Sequence, residues 1–252
     1  PAPSLASRFV VDAGGAGLEG VLRARGKAFS GVLDGVDASI WNPATDPHVD
    51  IRFDAMEAGQ VGVGKLRNKA AVQQTLGLPV RDDVPLFLVH LRERADERAF
   101  HTILPRLAKN DLQIVILSDG TAHEDDADVA RRYSDRIVVQ ENATSAVLHR
   151  LLGAADLVVH PALEDGYALF ALQAQRYGAL PIARAEGLII DAVIDADAQL
   201  NSGTGFTFEE GSAEALYGAM MRAAAAFQER AKFRATQKRA MLRDHSWDRT
   251  AR

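Results

Sequence analysis

Leu86-Phe-Leu-Val-His90 and, further along, Gln113-Ile-Val-Ile-Leu117 decide the fold. Each is a short, nearly continuous apolar run without the polar alternation of a strand that has one wet face, so each reads as a strand buried on both sides. Similar runs recur at 136–139, 157–160 and 180–183, and between the runs lie 95–107, 127–133, 145–152 and 168–177, whose apolar residues return at helical spacing. Strands and helices alternating at this interval predict an α/β fold: a Rossmann-like, doubly wound parallel sheet with helices on both faces.

Outward from that core the pattern changes. Upstream, 65–75 reads as a helix stopped by Gly77 and Pro79. Residues 1–50 are rich in glycine and carry Pro43 and Pro47, which predicts turns and a linker, with no core of their own. Downstream, 212–252 reads as helical, first alanine-rich and then basic, with a solvated charged face as the default reading. The chain opens on Pro1 in the middle of a pattern, as a fragment of a longer chain would.

Composition excludes several classes of function. The 252 residues suffice to bury roughly 70–75% of the unfolded surface, so no metal or disulfide staple is required. The absence of cysteine rules out a disulfide framework, a thiolate metal site and a cysteine nucleophile. A net charge of −5 does not suit a nucleic-acid-binding face. No apolar run approaches the ~20 residues that span a bilayer, so neither nucleic acid nor membrane is an expected partner, and the expected location is cytoplasmic.

In sheets of this type ligands bind beyond the carboxyl ends of the strands, where the strand order reverses. The strand exits carry His90, then Ser118, Asp119 and Gly120, then Gln140 and Glu141, then His160, with Glu164 and Asp165 just beyond, and these are expected to line one cleft. His90, Asp119, His160 and Asp165 include donors that suit zinc or manganese. Histidines at strand ends serve as hydrogen-bonded loop anchors more often than as ligands, so no metal or other cofactor is expected.

Gly35-Val-Asp-Ala-Ser-Ile-Trp-Asn-Pro-Ala-Thr-Asp-Pro47 resembles the linker that joins the two halves of bacterial glycogen synthases and plant starch synthases. Gly17-Leu-Glu-Gly-Val-Leu-Arg-Ala-Arg25, Asn68-Lys69, Arg176-Tyr-Gly-Ala-Leu-Pro-Ile-Ala-Arg184, Gly203-Thr-Gly-Phe206 and Ser246-Trp247 agree with the same family in order and spacing. The resemblance implies the B-type glycosyltransferase fold, two Rossmann-like domains facing across a cleft. Residues 1–50 would be the end of the N-terminal domain and the interdomain linker. Residues 51–252 would be the second, nucleotide-sugar-binding domain with its C-terminal helices. The implied partners are ADP-glucose or an altered nucleotide-sugar donor and an α-glucan. The acceptor domain, with the family's Lys-Thr-Gly-Gly-Leu and His-Asp-Trp motifs, is missing from this chain.

Carried over position by position, the resemblance puts Arg92 at the family's phosphate-binding arginine, and Arg98 is one of two arginines that stand in for its lysine. Asp165 stands at the catalytic glutamate, Glu164 precedes it, and Leu169 matches the leucine of the same motif. Asp119 and Gly120 follow the second strand, and Gly187 and Leu188 form the phosphate-side turn. The departures concentrate on the donor. Tyr167 and Ala168 replace the motif's cysteine and glycine, Glu186 brings a carboxylate toward the diphosphate, and Asn142-Ala-Thr-Ser145 lacks the tyrosine associated with the adenine ring. The linker and packing strings are kept. Two readings fit this contrast: a synthase-like glycosyltransferase domain with an altered donor, and a catalytically degenerate domain acting as a scaffold, regulator or glucan-binding module.

Overall fold

The computed structural model describes residues 3–11, 15–91, 98–118, 123–161 and 168–250. Its centre is a six-stranded, wholly parallel sheet in the order β3-β2-β1-β4-β5-β6, with β1 Leu86–Leu91, β2 Gln113–Ser118, β3 Ile137–Glu141, β4 Leu157–Val159, β5 Leu180–Arg184 and β6 Phe206–Phe208. The chain builds outward from β1 to β3, returns to β4 on the other side of β1, and builds outward again. The strand order therefore reverses between β1 and β4, and the fold is the predicted doubly wound sheet.

Burial on both faces explains the unbroken apolar runs. Phe87, Val89 and Leu91 enter one core with Phe100, Ile103, Leu104 and Leu107 of α4 (Arg98–Leu107) and Met220 and Phe227 of α9 (Ala213–Gln228). Leu86 and Leu88 point the other way, onto Val72 of α3 (Gln60–Thr75), Leu151 and Leu152 of α6 (Ser145–Ala154) and Phe170 of α7 (Ala168–Arg176). Each such fully buried side chain is worth about 1.5–3 kcal/mol of transfer free energy, so a polar substitution on either parity of β1 would be costly. Thr144 and Ser212 cap α6 and α9 by accepting hydrogen bonds from Val147 N and Ala215 N.

Several elements differ from the sequence reading, among them the short helices at Pro3–Phe9, Glu19–Arg25 and Leu188–Ala192. β6 was not expected, because only three residues follow the glycines at 203 and 205; pairing with Ile182, Ala183 and Arg184 of β5 makes them a strand. Helix α3 begins at Gln60 rather than at 65, because Gly62 and Gly64 look like turn residues. A Cβ on Gly64 would come within 2.5 Å of Phe53 Cβ, so this glycine allows the helix to approach residues 51–53 closely.

The inward face of α3 is polar. Lys69 Nζ lies 2.7 Å from Asp156 Oδ2, which also accepts the Leu86 backbone N–H at 3.0 Å. Asn68 clips both backbone groups of Ile51, and Gln73 donates to Gln113 Oε1 at 2.6 Å. Residues 65, 68, 69, 72 and 73 thus form one buried stripe at helical spacing in which polar groups are satisfied by strand ends, loops and the last turn of α6.

Downstream of β5, α8 (Leu188–Ala192) packs on α7, and α10 (Arg230–Met241) and α11 (Trp247–Thr250) close the chain. The front of the chain carries α1 (Pro3–Phe9) and α2 (Glu19–Arg25). It returns to the tail at Gly35, where a Cβ would come within 2.7 Å of the Trp247 ring, and at Val36, whose N–H donates to His245 O at 2.7 Å.

Lys65 is 3% exposed and donates to Leu152 O at 3.0 Å; burial pushes its ammonium down to about 7, with Asp156 opposing and Lys69 adding to the shift. A lysine whose folded pKa lies below its unfolded value of about 10.4 binds fewer protons in the native state, so wild-type stability should rise with pH between about 7 and 10, by at most about 1.4 kcal/mol per unit from this group. Lys65→Met should be more stable than wild type at pH 7 and should lose that part of the slope. Urea denaturation at several pH values measures both, and an unchanged slope in the variant would contradict the assignment.

Candidate functional site

At the carboxyl edge of the sheet β1 and β4 end side by side, at the point where the strand order reverses. His90 stands on β1 with its ring edge-on to Phe170, centroids 5.2 Å apart. His160 follows β4 and donates its backbone N–H to Ile182 O at 2.8 Å, extending the pairing with β5. Both imidazoles are part-buried beside the reversal point. Among the described residues no group of three or more His, Asp or Glu side chains is placed to hold a metal ion.

Four of the sequence-derived site residues fall within the described structure. Arg98 opens α4 on an exposed surface, its carbonyl accepting from Thr102 Oγ1 at 2.9 Å. Leu169 is half-buried in the first turn of α7, against the small core of Leu172, Ala183 and Ile189. Gly187 turns the chain from β5 into α8 at φ 53°, ψ −130°, and Leu188 begins α8, half-buried on the same core. Arg92, Asp119, Gly120, Glu164 and Asp165 lie outside the described residues, as does Tyr167. The structure therefore brings Leu169 and Leu188, with Gly187 beside them, onto one small core, while Arg98 sits at the start of a helix on the opposite face of the sheet.

The turn after β5 also holds charges that the strand-exit reading missed, because it was not carried as far as β5. Arg184, the last residue of β5, donates from Nε to Glu209 O at 3.0 Å and places Nη1 2.7 Å from Glu186 Oε2. Arg8 of α1 places Nη1 2.6 Å from the other oxygen, Oε1. Glu186 is thus held between two guanidiniums and does not project alone into the cleft. Alongside, the Ser4 hydroxyl lies 2.6 Å from Gly187 O and 2.7 Å from Asp191 Oδ2, and the Ser4 N–H donates to Asp191 Oδ2 at 3.0 Å. These contacts seat α1 on α8.

The linker is anchored on the same domain. Asp46 Oδ2 accepts from Tyr177 Oη and lies 2.7 Å from His149 Nδ1, while Trp41 stacks on the His149 ring at 4.0 Å and 10°. Burial alone would raise the Asp46 carboxyl, but hydrogen bonds from Tyr177, His48 N and His149 outweigh it and hold the group below its ordinary range. Burial, then the Asp46 carboxylate, push the Tyr177 phenol upward. Arg176 donates to Trp41 O and Met241 O, both at 3.3 Å, tying the linker and the end of α10 to the end of α7.

A family model described as "Glycosyl transferases group 1" matches residues 86–225, from β1 into α9. The chain belongs to the group 1 glycosyl transferases. Within them it is similar to glycogen synthases: 35% identical over 253 residues to that of Anaeromyxobacter dehalogenans (strain 2CP-1 / ATCC BAA-258), and 33% over 257 residues to that of Cellvibrio japonicus (strain Ueda107). Each alignment covers 99% of this chain and 52% of the relative, so the chain spans about half the length of the relatives it matches. The catalytic domain of starch synthase IV from Arabidopsis thaliana, bound to ADP and acarbose, superposes with a TM-score of 0.84 at 27% identity over 99% of this chain and 52% of that one. The C-terminal domain of a group 1 glycosyl transferase (LpcC) from Francisella tularensis, 16% identical with a TM-score of 0.56, is covered completely by 84% of this chain and shares the fold. The architecture is that of the Rossmann-like C-terminal domain of a B-type glycosyltransferase of the glycogen and starch synthase family. No described helix is long and apolar enough to cross a membrane.

Asp191→Ala removes both contacts that Ser4 makes to the carboxylate, at a local cost of about 1–2 kcal/mol. Amide exchange in residues 3–9 should accelerate about 5- to 30-fold, while β1 and β2 keep wild-type protection. Uniform acceleration through the sheet would mean that α1 is not a separately held element.

Proposed function

We propose that this chain is the nucleotide-sugar-binding half of a glycogen- or starch-synthase-like glycosyltransferase acting in the cytoplasm on an α-glucan. The observation that carries the reading is the alignment with a starch synthase, solved with ADP and acarbose, over 99% of this chain. On this reading residues 1–50 end the acceptor domain and cross the linker, and residues 51–252 hold the donor at the carboxyl edge between β1 and β4. The acceptor face belongs to a domain outside this chain.

The chemistry follows from charge. As the bond from sugar to diphosphate breaks, negative charge grows on the leaving group, and cations or backbone amides already in place stabilise it. On this reading Arg92 supplies a cation after β1 and Arg98 a second from the start of α4, Asp119 and Gly120 follow β2, and Gly187 and Leu188 offer backbone on the other side. Asp165 stands beside the donor sugar with Glu164 before it, and Leu169 backs the cleft. An aspartate in place of a glutamate is one methylene shorter and sets its oxygens back by roughly 1 Å, which costs on the order of a hundredfold in rate if nothing else shifts. The second reading, a non-catalytic domain that keeps the scaffold, is favoured by one observation: at the β5 turn the Glu186 carboxylate pairs with two arginines of its own chain.

Calorimetry with ADP, ADP-glucose, UDP-glucose and a malto-oligosaccharide separates the two. The proposal expects saturable binding of a nucleotide sugar, weakened at least about tenfold in Arg92→Ala, as loss of a charge-assisted phosphate contact requires. If no nucleotide binds and only the oligosaccharide does, the domain is a glucan-binding module and the donor reading falls.

A further inference from the structure

We infer that Glu186 is the specificity-determining residue of the β5 turn: its carboxylate is the resident counter-ion of Arg184 and Arg8, and it excludes a phosphate group from the place it occupies. The inference rests on the reading of the carboxyl edge as the nucleotide-sugar site.

Two guanidiniums from elements far apart in sequence, α1 and β5, converge on the two oxygens of one carboxylate, at 2.6 and 2.7 Å. The Arg8 contact is a charge-assisted hydrogen bond and the Arg184 contact a close ion pair, and guanidiniums receive a phosphate through the same charge. The backbone fixes where the carboxylate sits: the Glu186 N–H donates to Arg184 O at 2.8 Å, and Gly187 turns the chain directly after it. Arg184 is itself held by its Nε bond to Glu209 O. The side chains are 55% (Arg8), 29% (Arg184) and 22% (Glu186) exposed, so the cluster is open to a competing anion.

A phosphate reaching Arg184 therefore meets a carboxylate already in place. It must either displace Glu186, which also breaks the Arg8 pair that helps seat α1, or approach it as a like charge. Either route selects against ligands that put a phosphate on this turn, and favours ligands that meet it with hydroxyl groups, which the carboxylate accepts from. Exchanging the carboxylate for an amide of the same shape leaves the two guanidiniums in place and removes the repulsion.

The test is calorimetry of the wild-type chain, Glu186→Gln and Glu186→Thr with inorganic pyrophosphate, ADP and ADP-glucose, with urea midpoints confirming that each variant is folded. Both substitutions should bind pyrophosphate and ADP about tenfold more tightly than wild type at low salt, with the gain shrinking at higher ionic strength. The gain should disappear when Arg184→Ala is added to Glu186→Gln. Equal or weaker binding by the folded variants, or no binding of pyrophosphate and ADP by any of them, overturns the inference. If the variants gain pyrophosphate while ADP-glucose binds none of the proteins, the inference stands and the nucleotide-sugar reading falls. If wild type binds ADP-glucose and Glu186→Gln binds it and pyrophosphate no better, the reading stands and the inference falls.

Discussion

Asp156 holds the sheet together at the one place where its order reverses. Its side chain accepts the first N–H of β1 and the ammonium of Lys69, its own N–H donates to Leu86 O, and its carbonyl accepts from Leu180 N at the start of β5. One residue therefore sets the register of three strands and docks α3 beneath them. Replacing such a pair by matched apolar groups can be neutral, but removing one partner leaves a buried charge alone, so the pair constrains the fold more than it stabilises it. With the amino ends of β1, β4 and β5 fixed, their carboxyl ends open together on the opposite side, where the candidate site is expected.

The linker string is explained by the same economy of buried polar groups. Trp41 covers His149, Asp46 meets both His149 and Tyr177, and Asn42 accepts the Ala44 N–H through its side chain while its carbonyl receives the N–H groups of Thr45 and Asp46. These side chains come from a coil segment, so no periodic pattern could have assigned them partners. Its polar groups find partners in α6, at the end of α7, at His245 and within its own turn, so altering the linker leaves unsatisfied groups in the core.

The β5 turn shows how a substitution can be read correctly in sign and incompletely in context. From the sequence, Glu186 is a carboxylate near a phosphate-side turn. In the structure it is the shared anion of Arg184 and of an arginine 178 positions away. The seating of α1 on α8 through Ser4, Asp191 and Gly187 is of the same kind. The front of the chain, whose glycine content predicts no core of its own, contributes a cation and a hydroxyl to the β5 turn.

The chain alone determined the fold class, five of the six strands, most of the helices and the family, because doubly buried strands leave unbroken apolar runs and because the linker string is long and specific. Strand direction, also legible in it, is what puts the expected site beyond the carboxyl ends. Only the tertiary structure decided that Phe206–Phe208 is a strand, that the polar stripe of α3 faces inward, and that Glu186 is neutralised rather than bare. Each of these depends on a partner distant in sequence, and hydrophobic periodicity carries information about which face of an element is buried but none about which charge will be waiting there.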